Sequence, residues 1–208
     1  LEEKVDLRTR ELSEVNKNLE KALRALEDRD NIMTEDLMQA RDFQKSILTE
    51  PPRIKQATVE VVYRPLQLVG GDLYDVTTVD DHSVRIFLAD ATGHGVRASL
   101  ATMFIKSEYE GIKLAVDGPA ALLAALNDRI AGTYGLLGMR FTAVCAHVDL
   151  KRGVVRWASA GHPGPLLMQG GTVRELDGGG PFMGVVPSLD FTDREVPFEP
   201  SDALFLYT

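Results

Sequence analysis

The sequence is almost devoid of cysteine: Cys145 is the single one among 208 residues, so no disulfide can form within the chain. This excludes a small secreted domain held together by disulfides and leaves a cytoplasmic protein as the expectation. A zinc site built from several thiolates is excluded for the same reason. Cys145 lies in an alternating segment that is typical of a strand, so we predict that it is a small core residue.

Long hydrophobic runs and an excess of positive charge are missing as well. No apolar run approaches the roughly 20 residues of a membrane span, and no signal peptide is visible. The 31 acidic and 23 basic residues give a net charge of −8. We therefore expect no nucleic-acid partner and no direct membrane contact. Because the chain begins without Met and inside a helical pattern, we expect a piece of a longer protein, which could itself be membrane-tethered.

The first fifty residues contain no glycine and no proline, and their apolar side chains recur in alternating steps of three and four. This spacing is typical of a coiled-coil seam. We predict a coiled-coil helix over residues 1–50 that forms a homodimer through residues 5–48. The alternative is a single amphipathic helix that lies on its own domain. The seam consists of Val5, Leu12, Val15, Leu19, Ala22, Leu26, Met33, Leu37, Ala40, Gln44 and Ile47.

The seam is interrupted where it takes two successive four-residue steps, from Arg29 to Met33 and on to Leu37. An extra four-residue step is a stutter, which locally unwinds a coiled coil. Two registers of the helix are then conceivable, and a change between them would rotate residues 38–48. A bistable element of this kind suits the relay of a signal.

The tandem prolines at 51 and 52 end the helix, and the apolar pattern beyond them changes to period two. Helices are predicted over 96–116 and 120–131, the second with Asp117 as its cap and Pro119 in its first turn. Strands, then helices, then strands indicate an α+β domain over residues 51–208. The predicted strands cover 58–65, 73–79, 83–89, 141–150, 154–158, 165–168, 172–175, 191–196 and 203–207.

Two acidic glycine motifs are the most informative feature of this domain: Gly-Gly-Asp at 70–72 and Leu-Ala-Asp-Ala-Thr-Gly-His-Gly at 88–95. Glycine allows positive φ and close backbone approach, and carboxylates prefer hard cations. Asp72 and Asp90 are therefore our candidate ligands for Mg²⁺ or Mn²⁺, with the Ala91 carbonyl as a third. Two ordinary turns are the alternative, since Asp and Gly are also the commonest turn residues.

Other residues near these motifs are weaker candidates. Asp75 could support the metal ligands or end a turn, and His94 could meet substrate, donate a proton or shape the turn. Gly93 and Gly95 flank His94, and the helix that begins after Gly95 would favour a phosphate at its first amides. The turn at 160–165 is predicted to be a rigid connection and not a catalytic group.

In this order, the motifs resemble the SpoIIE/RsbU branch of the metal-dependent PPM protein serine/threonine phosphatases. The resemblance covers residues 51–208, and the segment 38–48 also looks like the helix that enters the domain in this family. The segments that carry it are Gly-Gly-Asp-Leu-Tyr-Asp at 70–75, Ala-Asp-Ala-Thr-Gly-His-Gly at 89–95, Ala-Gly-His-Pro-Gly-Pro-Leu-Leu at 160–167 and Ala-Leu-Phe-Leu-Tyr-Thr at 203–208.

The resemblance implies a β-sandwich flanked by helices, with two Mn²⁺ or Mg²⁺ ions at one end. Asp90 would bridge the ions, Asp72 would bind one of them and Ala91 would lend its carbonyl. Catalytic water would attack phosphorus in line, without a phosphoenzyme. The implied substrate is phosphoserine or phosphothreonine on a bacterial regulatory protein of the anti-sigma-factor antagonist type. An upstream sensor would act through the coiled coil.

The sequence departs from the family pattern at its C-terminal end. There the family has an Asp directly after Leu-Tyr-Thr and another some tens of residues later, whereas this sequence stops at Thr208. We therefore expect a C-terminally incomplete domain that binds metal weakly and is inactive by itself. A non-catalytic dimeric interaction module is the alternative function. A GGDEF-like nucleotide cyclase is a remote one, because Leu73-Tyr74 stands where Glu-Phe is required.

Overall fold

The computed structural model describes residues 2–135 and 138–208, and it divides into two compact units, Leu1–Asp42 and Phe43–Thr208. After the long N-terminal helix, the elements follow the predicted order: strands first, then two helices, then strands again. In chain order the elements are α1 (Glu2–Ser46), β1 (Asp72–Asp80), β2 (Ser83–Ala91), α2 (Val96–Glu110), α3 (Pro119–Tyr134), β3 (Phe141–Asp149), β4 (Val154–Ala160), β5 (Leu166–Gln169), β6 (Thr172–Glu175), β7 (Arg194–Pro197) and β8 (Ala203–Phe205).

The long N-terminal helix forms as predicted and ends at Ser46, shortly before the two prolines. In the first unit the side chains of the seam from Val5 to Met33 are exposed, including Leu12 at 63% and Leu19 at 57%. A row of exposed leucines along a helix gains stability when a second helix covers it. The homodimeric coiled coil thus stays a prediction that the exposed seam favours.

Two antiparallel sheets build the second unit, which confirms the predicted α+β sandwich. The larger sheet has the strand order β1-β2-β3-β4-β7, and the smaller one has the order β6-β5-β8. Every neighbouring strand pair in these two sheets is antiparallel. The βαβ alternation that the nucleotide-cyclase alternative requires does not occur between these strands.

The larger sheet has a core on each face. One face packs against α2 and α3 through side chains such as Phe87, Leu123 and Phe141, and Cys145 lies in this core as predicted. The other face packs toward the smaller sheet through Val155, Trp157 and Leu167. Helices therefore cover one side of the sheet, while the second side is left to the smaller sheet and, at one end, to a cavity.

Residues 58–65 are a correction to the predicted strands. Their exposure alternates residue by residue, as the sequence pattern suggested, but they form no strand and pair with none of the described strands. Alternation shows which side chains contact the core, whereas a strand also needs a hydrogen-bonded neighbour.

The predicted cap of α3 is also corrected. Gly118, with φ of 85°, is the residue before the helix, and the Asp117 side chain makes no capping hydrogen bond. Asp193 takes that role from a distant loop, since its Oδ1 accepts the Ala120 N–H at 2.7 Å. Helix α2 ends at Glu110 and is shorter than predicted, because Gly111 follows. Among the described residues, no helix has the length and apolar character needed to cross a membrane.

Acidification is expected to destabilise the larger sheet through His147. This β3 residue is 8% exposed, faces Arg85 on β2 and Arg156 on β4, and its ring nitrogens have no hydrogen-bond partner among the described residues. Burial, and then the two arginines, lower the pKa of His147 against the opposing pull of Asp117 and Asp149. Below about pH 6.5, His147 therefore binds a proton in the unfolded chain but much less readily in the folded protein.

The free energy of unfolding should therefore fall as pH decreases from about 7.5 to about 5.5, measured by urea denaturation. The variant His147→Gln should show a shallower fall, with His162 supplying the rest because its pKa is also lowered. His82→Gln, on the turn between β1 and β2, is the matched control. An unchanged pH slope in His147→Gln would contradict the prediction.

Candidate metal centre

Two predicted carboxylates face each other across the first pair of strands. Asp72 begins β1 and lies directly opposite Asp90 near the end of β2, and Asp90 in turn lies opposite Thr142 on β3. Directly opposite residues of an antiparallel pair have Cβ atoms about 4.5–5.5 Å apart and project from the same face. Asp72, Asp90 and Thr142 therefore form one row across three strands. The structure brings the two candidate ligands together, while their binding of metal stays a prediction.

The electrostatics of this row are unfavourable without a cation. The pKa of Asp90 is raised, first by partial burial and then by the negative charge of Asp72. Tyr63 adjoins the pair, and burial together with the Asp72 charge raises its pKa to about 12. A divalent cation between the two carboxylates would relieve their repulsion and suit their hard oxygen atoms. The donor set fits Mg²⁺ or Mn²⁺, although the described ranges contain no group of three or more acidic, His or Cys side chains placed to hold a metal ion.

Both carboxylates line an open cavity of about 260 Å³. Its wall includes Gly93 and His94 from the second motif, as well as residues that the sequence reasoning did not single out. The complete lining is Leu66, Gln67, Val69, Gly70, Gly71, Asp72, Asp90, Gly93, His94 and Thr208. Two loops and the last described residue of the chain therefore converge on the acidic pair.

The glycines of the two motifs serve different physical needs. Gly93 has φ of 98° and Gly95 has φ of 72°, a backbone region that favours glycine. Gly95 directly precedes α2, whose first amides lack a side-chain cap. Gly71 is required instead by close approach: a Cβ there would lie 2.8 Å from the Ala91 carbonyl oxygen. Since the Ala91 N–H donates to the Gly71 carbonyl at 2.9 Å, the two motifs are bonded to each other.

The substitution Gly71→Ala is expected to weaken cation binding by about 10- to 100-fold, the usual effect of disturbing residues that orient metal ligands. The added methyl would collide with the Ala91 carbonyl and lie 3.2 Å from the Ala98 Cβ, so the two motifs must separate. Calorimetric titration with Mn²⁺ on the full-length protein measures this. Gly132→Ala in α3, where a Cβ meets open space, is the control and should leave affinity unchanged. Wild-type affinity in Gly71→Ala would refute the expectation.

Gln44 links the end of α1 to the first glycine motif. It is 2% exposed and the one buried side chain of that helix. Its Oε1 accepts the Gly70 N–H at 3.0 Å, while its Nε2 donates to the Gly70 carbonyl at 2.7 Å and to Thr102 Oγ1 on α2 at 3.0 Å. In the sequence, Gln44 stood out as a polar residue at an apolar seam position, but the sequence analysis assigned it no role at the site. Gln44 holds the loop that carries Asp72.

Asp75 does not face the cavity. Three residues separate it from Asp72, so it projects from the opposite face of β1 toward α2. There it is fully buried and accepts hydrogen bonds from Lys106 Nζ at 2.6 Å and Tyr109 Oη at 3.1 Å. Asp75 therefore attaches β1 to α2, on the face of the strand opposite to the two candidate ligands.

Comparison with known structures defines the class of this domain. The chain aligns with the SiaA-PP2C domain of Pseudomonas aeruginosa with a TM-score of 0.73 and 26% identity, covering 84% of this chain and 71% of that one. Two antiparallel sheets, flanking helices and an acidic row at a sheet end are thus the architecture of a PP2C-type phosphatase domain. The sequence profile of the Stage II sporulation protein E (SpoIIE) family matches residues 80–208. The chain therefore belongs to the SpoIIE family.

Curated relatives from Bacillus subtilis (strain 168) agree with this assignment. The chain is 29% identical over 180 residues to phosphoserine phosphatase RsbP and 26% identical over 172 residues to phosphoserine phosphatase RsbU. Each alignment covers 81% of this chain, but 43% of RsbP and 51% of RsbU. The chain thus spans about half the length of these relatives or less.

Proposed function

We propose that the chain carries the metal-dependent phosphatase domain of a protein that dephosphorylates phosphoserine or phosphothreonine on other proteins. The observation that supports this most directly is the Asp72–Asp90 pair, which faces a cavity at a sheet end in a PP2C-type fold. The two Bacillus relatives, named as phosphoserine phosphatases, support the same chemistry. Two cations held there are our proposed cofactors, either Mn²⁺ or Mg²⁺.

The side chains divide the work between holding cations and orienting phosphate. Asp72 and Asp90 would hold the ions, with the Ala91 carbonyl as a further oxygen donor. When bound, the ions supply Lewis-acid stabilisation of phosphoryl charge and a water nucleophile near neutral pH. The uncapped amides at the start of α2, close to His94, favour an anion at the cavity edge. Cys145 is no nucleophile, since it is fully buried and its pKa is raised to about 12.

The proposed substrate is a phosphorylated bacterial regulatory protein of the anti-sigma-factor antagonist type. A shallow, open cavity suits a phosphorylated side chain on a protein surface better than a small enclosed metabolite. The test is phosphate release by the full-length protein from a phosphoserine-containing antagonist domain, with Mn²⁺ and with EDTA. Release that depends on Mn²⁺ supports the proposal. The non-catalytic alternative predicts neither Mn²⁺ binding nor phosphate release.

We also propose that the N-terminal helix dimerises and regulates this domain for an upstream sensor. The exposed seam supports dimerisation, and Gln44 supports regulation because it joins the helix end to Gly70. A rotation of residues 38–48 would move Gln44 and, through Gly70, the loop that carries Asp72. The stutter between Arg29 and Leu37 is where two registers could interconvert.

Deletion of residues 34–37 is expected to change phosphatase activity while leaving a dimer. The deletion removes one four-residue step, so the seam continues as regular heptads and the following helix is rotated by about 50° in a 3.5-residue repeat. Deleting residues 12–18 is the matched control, because a loss of seven residues keeps the register. Activity and light-scattering mass are measured on the full-length protein. Unchanged activity in the first variant, or a monomeric wild type, contradicts this part of the proposal.

A further inference from the structure

His162 lies in the turn between β4 and β5 and is 2% exposed. Its carbonyl oxygen accepts two hydrogen bonds, one from the Ser159 hydroxyl at 2.7 Å and one from the Gly179 N–H at 2.9 Å. Its ring lies between β3 and the segment that follows β8. Nδ1 lies 2.7 Å from the Thr142 hydroxyl on β3, and Nε2 lies 2.9 Å from the Tyr207 carbonyl.

These contacts define the hydrogens on the ring. A carbonyl oxygen accepts and never donates, so Nε2 carries the proton that bonds to Tyr207. Burial, as the largest effect, lowers the pKa of His162, so the ring is neutral near pH 7 and Nδ1 is an acceptor for the Thr142 hydroxyl. Both nitrogens are therefore satisfied, and the ring has one orientation and one tautomer.

Each of the two partners of the ring is next to a residue that lines the cavity. Thr142 is the third member of the row that begins with Asp72 and Asp90. Tyr207 directly precedes Thr208, which lines the same cavity as Asp72 and Asp90. Residues 206–208 follow β8, and the Leu206 side chain packs against the second core while the imidazole of His162 bonds to the Tyr207 carbonyl.

We propose that His162 is a positioning residue, which fixes the Tyr207–Thr208 wall of the metal cavity at a set distance from the Asp72–Asp90 row. The inference rests on the proposed function, because the wall matters to catalysis where the acidic pair holds cations. It assigns a task to the turn at 160–165 beyond that of a rigid connection. The ring touches neither carboxylate, so its effect is exerted through Thr142 and Tyr207.

The variants exploit the two ends of the ring. His162→Gln keeps a donor near the position of Nε2, whereas His162→Asn keeps polar atoms near Nδ1 alone, and His162→Phe keeps neither. Ser159→Ala is the matched control, because it removes a buried hydrogen bond from the same turn and leaves the imidazole in place. Amide hydrogen exchange at residues 205–208 and the Mn²⁺ dissociation constant are measured on the full-length protein.

Exchange at residues 205–208 should accelerate at least about tenfold in the Phe and Asn variants, and Mn²⁺ affinity should fall about 10- to 100-fold. The Gln variant should retain most of both properties, and Ser159→Ala should change neither. Unchanged exchange in His162→Phe overturns the inference. So does equal loss of Mn²⁺ affinity in Ser159→Ala and His162→Phe, which indicates general destabilisation. If the wild type binds no Mn²⁺, the proposed function fails first and this inference fails with it.

Discussion

Replacement of Asp90 by asparagine is expected to abolish Mn²⁺-dependent phosphate release, with a loss on the order of 10³-fold or about 4 kcal/mol of transition-state stabilisation. The substitution keeps the size of the side chain but removes the charge that faces Asp72 across the strand pair. An amide oxygen is a weaker ligand for a hard cation than a carboxylate. Initial rates on a phosphoserine substrate, measured with the full-length protein, give the effect.

The same substitution should stabilise the metal-free protein, which separates a lost ligand from a damaged fold. The raised pKa of Asp90 means that its ionised form is disfavoured in the folded state at neutral pH. Asp90→Asn removes that unfavourable charge, so the metal-free melting temperature should rise slightly while its increase on adding Mn²⁺ disappears.

Asp81→Asn is the matched control, since Asp81 is exposed in the turn between β1 and β2. It should retain both turnover and the Mn²⁺-induced increase in melting temperature. Undiminished turnover in Asp90→Asn would remove Asp90 from the mechanism and with it the main support for the proposed function.

Replacement of Lys106 by methionine is expected to lower the free energy of unfolding by about 3–5 kcal/mol, the usual cost of leaving a buried charge without its partner. Lys106 Nζ lies 2.6 Å from Asp75, whose side chain is fully buried. Lys113 is the other cation at this carboxylate, and its Nζ is more distant at 3.4 Å. Urea denaturation at pH 7 measures the loss, and Lys151→Met in an exposed turn should be nearly neutral.

The pH dependence of this effect has a defined sign. Burial alone would raise the pKa of Asp75, but hydrogen bonds from Lys106, Thr49 and Thr77 hold it well below its usual range. A carboxyl with a lowered pKa stabilises the fold above about pH 4 and loses that contribution as pH falls through the folded-state value. The destabilisation caused by Lys106→Met should therefore be largest above about pH 4 and should shrink as pH falls through the folded-state value.

A double variant tests whether the lost pair is the cause. Adding Asp75→Leu to Lys106→Met removes the stranded carboxylate and should recover much of the lost stability, since apolar replacements of buried ion pairs are often tolerated. If Lys106→Met alone costs less than about 1 kcal/mol, the contact contributes no more than a typical exposed ion pair, and its role in joining β1 to α2 is refuted.

The sequence predicted the helices, most strands and the proximity of Asp72 and Asp90 because these depend on local patterns. The period of apolar residues predicts which side chains meet the core, and motifs at strand ends converge when the strands are neighbours. Residues 58–65 show the limit of that reasoning: alternation was present and a pairing partner was not. A hydrogen-bond partner that lies far along the chain cannot be recognised from the local sequence.

Gln44 and His162 illustrate the same limit at the candidate site. Gln44 was visible as a polar residue in an apolar seam, but its bonds to Gly70 and Thr102 span 26 and 58 residues of sequence. His162 was visible within a turn motif, but its partner Tyr207 lies 45 residues away. The sequence showed that Gln44 and His162 were unusual, but only the tertiary fold shows which groups they bond to.

Strand β1 carries acidic groups on both of its faces, Asp72 toward the cavity and Asp75 toward α2, and α2 in turn begins beside His94. A displacement of this strand would be transmitted to both sides of the sheet at once. Binding of the proposed cations and the integrity of the helical layer would then be thermodynamically linked, so that the binding free energy of the ions would also stabilise the fold of this layer. A variant that loosens the helical layer, such as Lys106→Met, would on this proposal also bind the cations more weakly.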